Sequence, residues 1–517
     1  MIPSSTYSSA TSATPNRKAG RRRSLWWLLI PALVLGGGLL FPALRGPGPR
    51  VRQTGAGTRP ELTTVSAGVA ASAGVSPSAG DSRATAGATP EADSNVNENA
   101  DSPNVEALEW SRFRGPNGSG VSSDETIPTA WSETQNLKWS TSLPGPGSSS
   151  PVLTDRFVFV TCYAGIETES RQADTSKLKR LLVCVNREDG SVVWKHTEDG
   201  IQPEDRYQGM GVPEHGYATN SPVTDGKRVF AFLGKSGVFG FDLEGNKLWH
   251  TSVGTESGNR GWGTASSLVL YEDLVIVNAS EESQTIRALR ASDGQEVWKA
   301  TGSALELAYG TPILAKVDDQ RTDLVIAVPG EIWGLSPTTG KLIWFAETSL
   351  TGNLSPSLLL DGDTVIAFGG YRSSGSVAVR VGGTGDVTKT HTVWTSRNSS
   401  YVSTPVMVDD KLYWIDDKGT FYASSATSGE LIQRSRVSNI TSRDRPVYAS
   451  AVSIGKHLYL QTRFDGLIVA SQNAELDVVS QNRFESDKSM FNATPAIDRG
   501  ELYLRSDSKL YCVRSSK

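Results

Sequence analysis

Five histidines, three cysteines and one loop dense in ionisable side chains are the groups in this 517-residue chain whose types and spacing could do chemistry. The loop, Thr197–Thr219 (TEDGIQPEDRYQGMGVPEHGYAT), brings Glu204, Asp205, Arg206, Tyr207, Glu214, His215 and Tyr217 together in sequence. His215, with carboxylates close by, is the best single candidate for proton transfer or metal ligation. His196, His250, His391 and His457 are scattered with no ligand spacing, as strand-end or surface residues would be. Cys162, Cys184 and Cys512 make no CxxC pair and are too few for a disulfide framework, which excludes a zinc module. Buried thiols are expected, with a Cys184–Cys512 or a Cys162–Cys184 contact as alternatives. Gly382–Thr390 (GGTGDVTKT) imitates a phosphate loop, but Thr388 stands where a glycine must precede the lysine and no helix follows in the pattern. A hairpin extension is expected there, and no nucleotide site. No set of residues converges as a catalytic constellation.

The elements that must position these groups follow from a sharp split in composition. No Phe, Trp or Tyr occurs between Phe41 and Trp110, whereas eleven of the thirteen Trp lie from Trp110 onward. Met1–Pro60 holds nine Lys/Arg and no acid, so the total charge of −4 leaves −13 for the remainder. An acidic body without a basic patch argues against a nucleic-acid partner.

Residues 1–24 form a basic head ending in Arg21-Arg22-Arg23, and 25–44 (LWWLLIPALVLGGGLLFPAL) carry no charge. As a helix that stretch would span about 30 Å, enough to cross a bilayer. The positive residues ahead of it place the N-terminus in the cytoplasm and the body outside. A cleaved signal peptide is the rival reading, although no small-x-small site closes the segment. Residues 45–109, rich in Ser, Ala, Gly, Thr and Pro, read as a disordered tether with an end-to-end distance of roughly 45 Å.

From Trp110 the chain repeats. Ser150-Pro151, Ser221-Pro222, Ser266-Ser267, Thr311-Pro312, Ser355-Pro356, Thr404-Pro405, Ser450-Ala451 and Thr494-Pro495 each open a unit of short apolar runs separated by Asp-Gly and Gly turns. In the unit from Ser221 the expected strands are Pro222–Thr224, Arg228–Leu233, Val238–Asp242 and Lys247–His250. The first unit carries extra sequence, Tyr163–Arg180 and Thr197–Thr219. A second element sets a small residue, a Gly six later and a Trp four after that, as in Cys184…Gly190…Trp194, Ala288…Gly294…Trp298 and Gly334…Gly340…Trp344. Trp139, Trp194, Trp249, Trp298, Trp344 and Trp394 hold this place and are read as structural, packing between sheets. Four-stranded sheets repeated radially make a β-propeller. The last unit lacks its Trp strand, which Leu137-Lys138-Trp139 supplies, so an all-β, eight-bladed propeller over 110–517 closed by both chain ends is expected. Trp262 and Trp333 lie off the register and are candidates for the channel mouth.

The 11-residue element resembles the tryptophan-docking motif A-x-D-x-x-T-G-x-x-x-W of pyrroloquinoline-quinone (PQQ) repeat propellers. Trp110–Pro116 (WSRFRGP) is similar to the W-x-x-F-R-G-P segment that opens a group of bacterial membrane-anchored PQQ-like propellers. Two relatives imply different functions. Quinoprotein dehydrogenases hold PQQ and Ca²⁺ on the axis, with a catalytic Asp and often a disulfide between adjacent Cys, whereas no two Cys are adjacent here. The periplasmic propeller of the outer-membrane barrel-assembly machinery binds proteins, carries no cofactor and is lipid-anchored; this chain's first Cys is Cys162. The closed repeat with no convergent catalytic set, behind an uncharged span, gives the expectation of an inner-membrane-anchored periplasmic scaffold for a protein or envelope partner, with the PQQ- and Ca²⁺-dependent oxidoreductase that the resemblance implies as the alternative. In the first reading the blade-one loop is a lid or rim over the channel, the bland option being a solvated loop that seals the blade edge.

Overall fold

A computed structural model describes residues 62–66, 110–168, 173–209, 211–371, 374–442 and 444–516. The head and membrane span expected over 1–24 and 25–44, and all of the expected tether but 62–66, lie outside these residues. No helix among the described residues is long and apolar enough to cross a membrane.

Eight antiparallel sheets follow one another along the chain. Blade one is Val152–Leu153, Phe157–Ala164, Lys179–Asn186 and Val192–Asp199. Blade two, with Val223–Thr224, Arg228–Phe232, Val238–Asp242 and Lys247–Thr251, falls within a residue or so of the sequence expectation. In blade eight Ala496–Asp498, Glu501–Arg505 and Lys509–Arg514 come from the C-terminus and Leu137–Ser142 from the other end. Trp139 pairs with Cys512 across that junction, so the ring closes by hydrogen bonds.

The repeated openings become a ring of hydroxyls. The backbone amide of Ser150 donates to the Ser221 hydroxyl at 2.9 Å, Ser221 to Ser267 at 3.0 Å, and Ser267 to Thr311 at 3.0 Å. Thr311 donates to Ser357 at 3.1 Å, Ser357 to Thr404 at 2.9 Å, and Thr404 to Ser450 at 3.1 Å. Ser450 to Thr494 and Thr494 back to Ser150, both at 3.0 Å, complete the circle. A buried amide must find an acceptor, and here each finds it on the next blade. In blade five the ring member is Ser357; the opening Ser355-Pro356 was placed two residues too early, because its Ser-Pro pair imitates the pattern.

The tryptophans dock from each blade into the next. Trp139 Nε1 donates to Arg187 O, Trp194 to Leu243 O, Trp249 to Ala291 O, Trp298 to Pro337 O and Trp394 to Ala426 O, at 2.8–3.0 Å. Each indole also lies on the turn glycine of that neighbour: a Cβ on Gly190, Gly245, Gly294, Gly340 or Gly429 would come within 2.3–2.7 Å of the ring. The small residue of the motif faces its own Trp, a Cβ on Gly240 falling 2.4 Å from Trp249 and one on Gly334 2.1 Å from Trp344. Gly and Trp therefore form pairs between blades. Where blade seven lacks the glycine, blade six has Gln433 in place of Trp.

Trp344 differs. Its Nε1 donates to Asp323 Oδ2 at 2.7 Å, and blade five's hairpin extension crosses to blade four, where Gly385–Asp386 pairs in parallel with Trp344 and Phe345. The GGTGDVTKT stretch is thus an edge cover with one short turn of helix, Thr388–His391. Blade three is covered likewise. Thr63–Ser66, inside the stretch read as a disordered tether, pairs antiparallel with Trp298–Thr301, and Gly302 lies between Leu62 and Trp333. The exposed edge of blade three offers backbone partners, and the β-branched run Thr-Thr-Val suits a strand. Cys162, Cys184 and Cys512 are buried free thiols.

Candidate functional site

Three layers stack along the propeller axis, and each is fixed by its distance in sequence from the hydroxyl ring. The residues just after the ring hold a plug. Trp110–Pro116 runs across the axis, with Arg114 fully buried and donating to Gly118 O, Ser119 O, Thr404 O, Pro405 O and Ala451 O at 2.7–3.3 Å. Arg112 donates to Pro312 O at 3.2 Å, while Trp110 O and Ser111 O accept from Leu153 and Thr224 at 2.9 Å. A Cβ on Gly115 would sit 2.6 Å from Trp110, so the glycine of the motif is required by the tryptophan that opens it. Among the described residues no carboxylate pairs with Arg114, and burial lowers its pKa to about 9. This planar, five-donor side chain ties blades six and seven to the plug.

On the other side of the ring, the residues two before each hydroxyl line a cup: Ser148, Thr219, Ala265, Tyr309, Ser355, Val402, Tyr448 and Asn492. All eight blades contribute from the same position, in the segment just ahead of each innermost strand. Phe113 of the plug reaches this cup, whose volume is about 150 Å³. One side is small and polar, the other carries Tyr309, Val402 and Tyr448.

The blade-one loop forms part of the rim. Its helix Val212–His215 is tied to blades seven and eight, where Glu214 pairs with Arg463 of blade seven at 2.9 Å and Asn492 donates to Glu214 O at 2.9 Å. Tyr207, Val212 and Tyr217 pack with Tyr163 and Leu178 in a small apolar cluster. Glu204 accepts from Arg180 at 2.8 and 3.0 Å, both side chains buried. Lys235 Nζ lies 3.9 Å from Asp205, the Tyr217 hydroxyl donates to Asp205 O at 2.5 Å, and Arg206 is exposed. The three carboxylates Glu204, Asp205 and Glu214 are therefore engaged in holding the loop in place. His215 lines the cup with Nδ1 2.8 Å from Thr219 Oγ1; burial lowers its pKa to about 4, which leaves it neutral at pH 7.

Of the two off-register tryptophans, Trp262 lines the cup and stacks on Tyr309 with centroids 6.2 Å apart. Trp333 does not reach the mouth. It is 1 % exposed in the core between blades three and four, with its indole N–H donating to Glu331. Its strand, Glu331–Leu335, is buried on both faces, so being off the Trp register did not mean being at the axis.

Several residues of the mouth had no signal in the motifs. Arg260 sits 5.8 Å from both the Trp262 and Tyr371 rings, Tyr371 5.4 Å from Tyr401, and Arg445 5.6 Å from Tyr401. Arg445 donates to the Tyr448 hydroxyl at 3.0 Å, and Arg463 lies 4.4 Å from Tyr448 and 5.6 Å from Phe464. These eight side chains form one continuous aromatic–arginine arc. Beside it Glu281 and Glu282 are 3 % and 2 % exposed, and burial, with the charge of Asp205 adding to it at Glu281, raises their pKa to about 7 and about 8.

The PQQ resemblance raises the question of a cofactor on this axis. Small-molecule and cofactor sites usually enclose about 300–1,000 Å³. The cup offers about 150 Å³ with Phe113 in its lining, and its one carboxylate, Glu214, is bound to Arg463. Among the described residues no three His, Cys, Asp or Glu are placed to share a metal ion. The residues present do not fit PQQ with Ca²⁺.

An eight-bladed sheet ring with tryptophans docked on neighbouring turn glycines defines a PQQ-type propeller. The family model described as outer membrane protein assembly factor BamB matches residues 175–327 and 306–517, and the chain belongs to that family. The crystal structure of BamB from Moraxella catarrhalis is similar over 73 % of this chain and 97 % of that one, at 14 % identity and a TM-score of 0.52, a likeness of fold. Quinohemoprotein alcohol dehydrogenase from Comamonas testosteroni aligns over 79 % of this chain and 82 % of its own at 10 % identity, with a TM-score of 0.37. No curated protein matches the chain.

Proposed function

We propose that the protein is a binding scaffold of the cell envelope, held at the bacterial inner membrane by residues 25–44 with the propeller in the periplasm, and that it presents the mouth of its closed axis to a protein partner. The aromatic–arginine arc carries this reading. Trp, Tyr and Arg are the residues that dominate binding energy at protein interfaces, and here they gather around a shallow cup backed by a rigid ring. Membership of a family described as an outer membrane protein assembly factor supports an assembly role in the envelope. The blade-one loop serves as a braced rim and not as a catalytic lid, since Glu204, Asp205 and Glu214 each face a cation of the blades, Arg180, Lys235 and Arg463.

The test is reconstitution of the full-length protein with PQQ and Ca²⁺, followed by dye-linked oxidation of alcohols and sugars. No saturable PQQ uptake and no turnover are expected. Stoichiometric uptake with turnover would overturn the scaffold reading.

A further inference from the structure

We infer that the cup accepts a single aromatic side chain from an acidic polypeptide segment of the partner, with Arg260 receiving a carboxylate that flanks it. The inference rests on the scaffold reading and specifies the ligand of that same mouth. Size comes first: about 150 Å³ is too little for a small-molecule site and suits one large side chain. Shape and chemistry come next. The wall formed by Trp262, Tyr309 and Tyr448 presents ring faces and edges, to which another aromatic ring adds by offset or edge-to-face contact. The opposite wall, Ser148, Thr219 and Asn492, is polar and is held by the blade-one loop, with Ser148 Oγ donating to His215 O at 2.7 Å and Asn492 to Glu214 O at 2.9 Å, so it is braced around the ring that enters.

Charge selects the flanks. Arg260 is exposed, is stacked between Trp262 and Tyr371, and makes no ion pair among the described residues. Its guanidinium edge can take a carboxylate while its faces stay on the rings. The carboxylates around the arc do not compete for that edge. Glu214 is bound to Arg463, Asp205 faces Lys235, Glu306 accepts from the Asn259 amide at 3.2 Å, and Glu281 and Asp417 are buried. A basic segment would meet Arg260 and Arg445 as like charges.

The probe is the blocked pentapeptide acetyl-Gly-Asp-Phe-Asp-Gly-amide, titrated calorimetrically into the full-length protein. Saturable binding is expected, weakened at least tenfold by Trp262→Ala, by Arg260→Glu and by exchanging the peptide's Asp residues for Lys. Arg260→Lys should restore part of the loss, and Ala265→Phe, which fills the cup from its own wall, should abolish binding. Each variant is compared at an unchanged thermal midpoint, which separates loss of the site from loss of fold. Absence of binding, equal affinity for the lysine peptide, or indifference to both Trp262→Ala and Arg260→Glu would overturn the inference. If an envelope partner still crosslinks to the mouth while this peptide fails, the scaffold reading stands and only the ligand class is wrong; if neither binds, both fall.

Discussion

The hydroxyl ring shows how much one atom per blade can decide. Thr404 Oγ1 accepts the Ser357 amide in a buried setting, so Thr404→Val keeps the shape and leaves that N–H unpaired. The expected loss is about 1–3 kcal/mol in denaturant unfolding, with Thr404→Ser near wild type. The turn glycines make a second demand. Gly294 has φ +72° and would place a Cβ 2.5 Å from Trp249, whereas Gly362, at φ +56°, has nothing within 4 Å. Gly362→Ala should cost only the roughly 1–2 kcal/mol of a left-handed backbone. Gly294→Ala should exceed it by about 1–3 kcal/mol, because the indole must move. Glu282 gives a pH signature. A carboxyl whose folded pKa is raised to about 8 contributes stability in its protonated form, fully present at acid pH and lost as pH rises through that value. Between pH 5 and 8.5 the thermal midpoint of wild type should fall more than that of Glu282→Gln, and the two should converge at the acid end.

At the scale of elements, the plug is the part of the chain that most changes what the axis can be. Arg114 joins the plug's own turn to blades six and seven through five carbonyl oxygens, so Arg114→Ala should cost about 3 kcal/mol or more in denaturant unfolding. Arg114→Lys should recover little, since an ammonium cannot reproduce a planar fork. The blade count, the closure through Leu137–Ser142 and the docking role of Trp139, Trp194, Trp249, Trp298 and Trp394 were legible in the sequence, because each rests on a repeated local demand. The cup was legible in principle: once the ring positions are known, counting two residues back lists its wall. It was obscured in blade five, where Ser355-Pro356 stands in for Ser357. Long-range roles left no local mark. Nothing near Glu214 announces Arg463 some 249 positions away, and nothing in Thr63–Ser66 announces blade three's edge. Trp333 was misread for the complementary reason, an unusual position being mistaken for an exposed one.

For the whole molecule, the two faces of the ring differ. The ring is closed by hydrogen bonds, carries Trp110–Pro116 on one side and opens on the other at an aromatic–arginine mouth, the surface that the proposed scaffold role would use. Function lives in sites grafted on folds, and here the graft is the set of segments that precede the ring hydroxyls. The most direct measurement is photocrosslinking in intact envelopes from a benzoylphenylalanine at Tyr371 on the mouth, with Pro116 on the plug side as the control position. The account predicts one discrete protein adduct from position 371, diminished by Trp262→Ala, and none from position 116. Random neighbours from both positions, or the same adduct from the plug side, would contradict it.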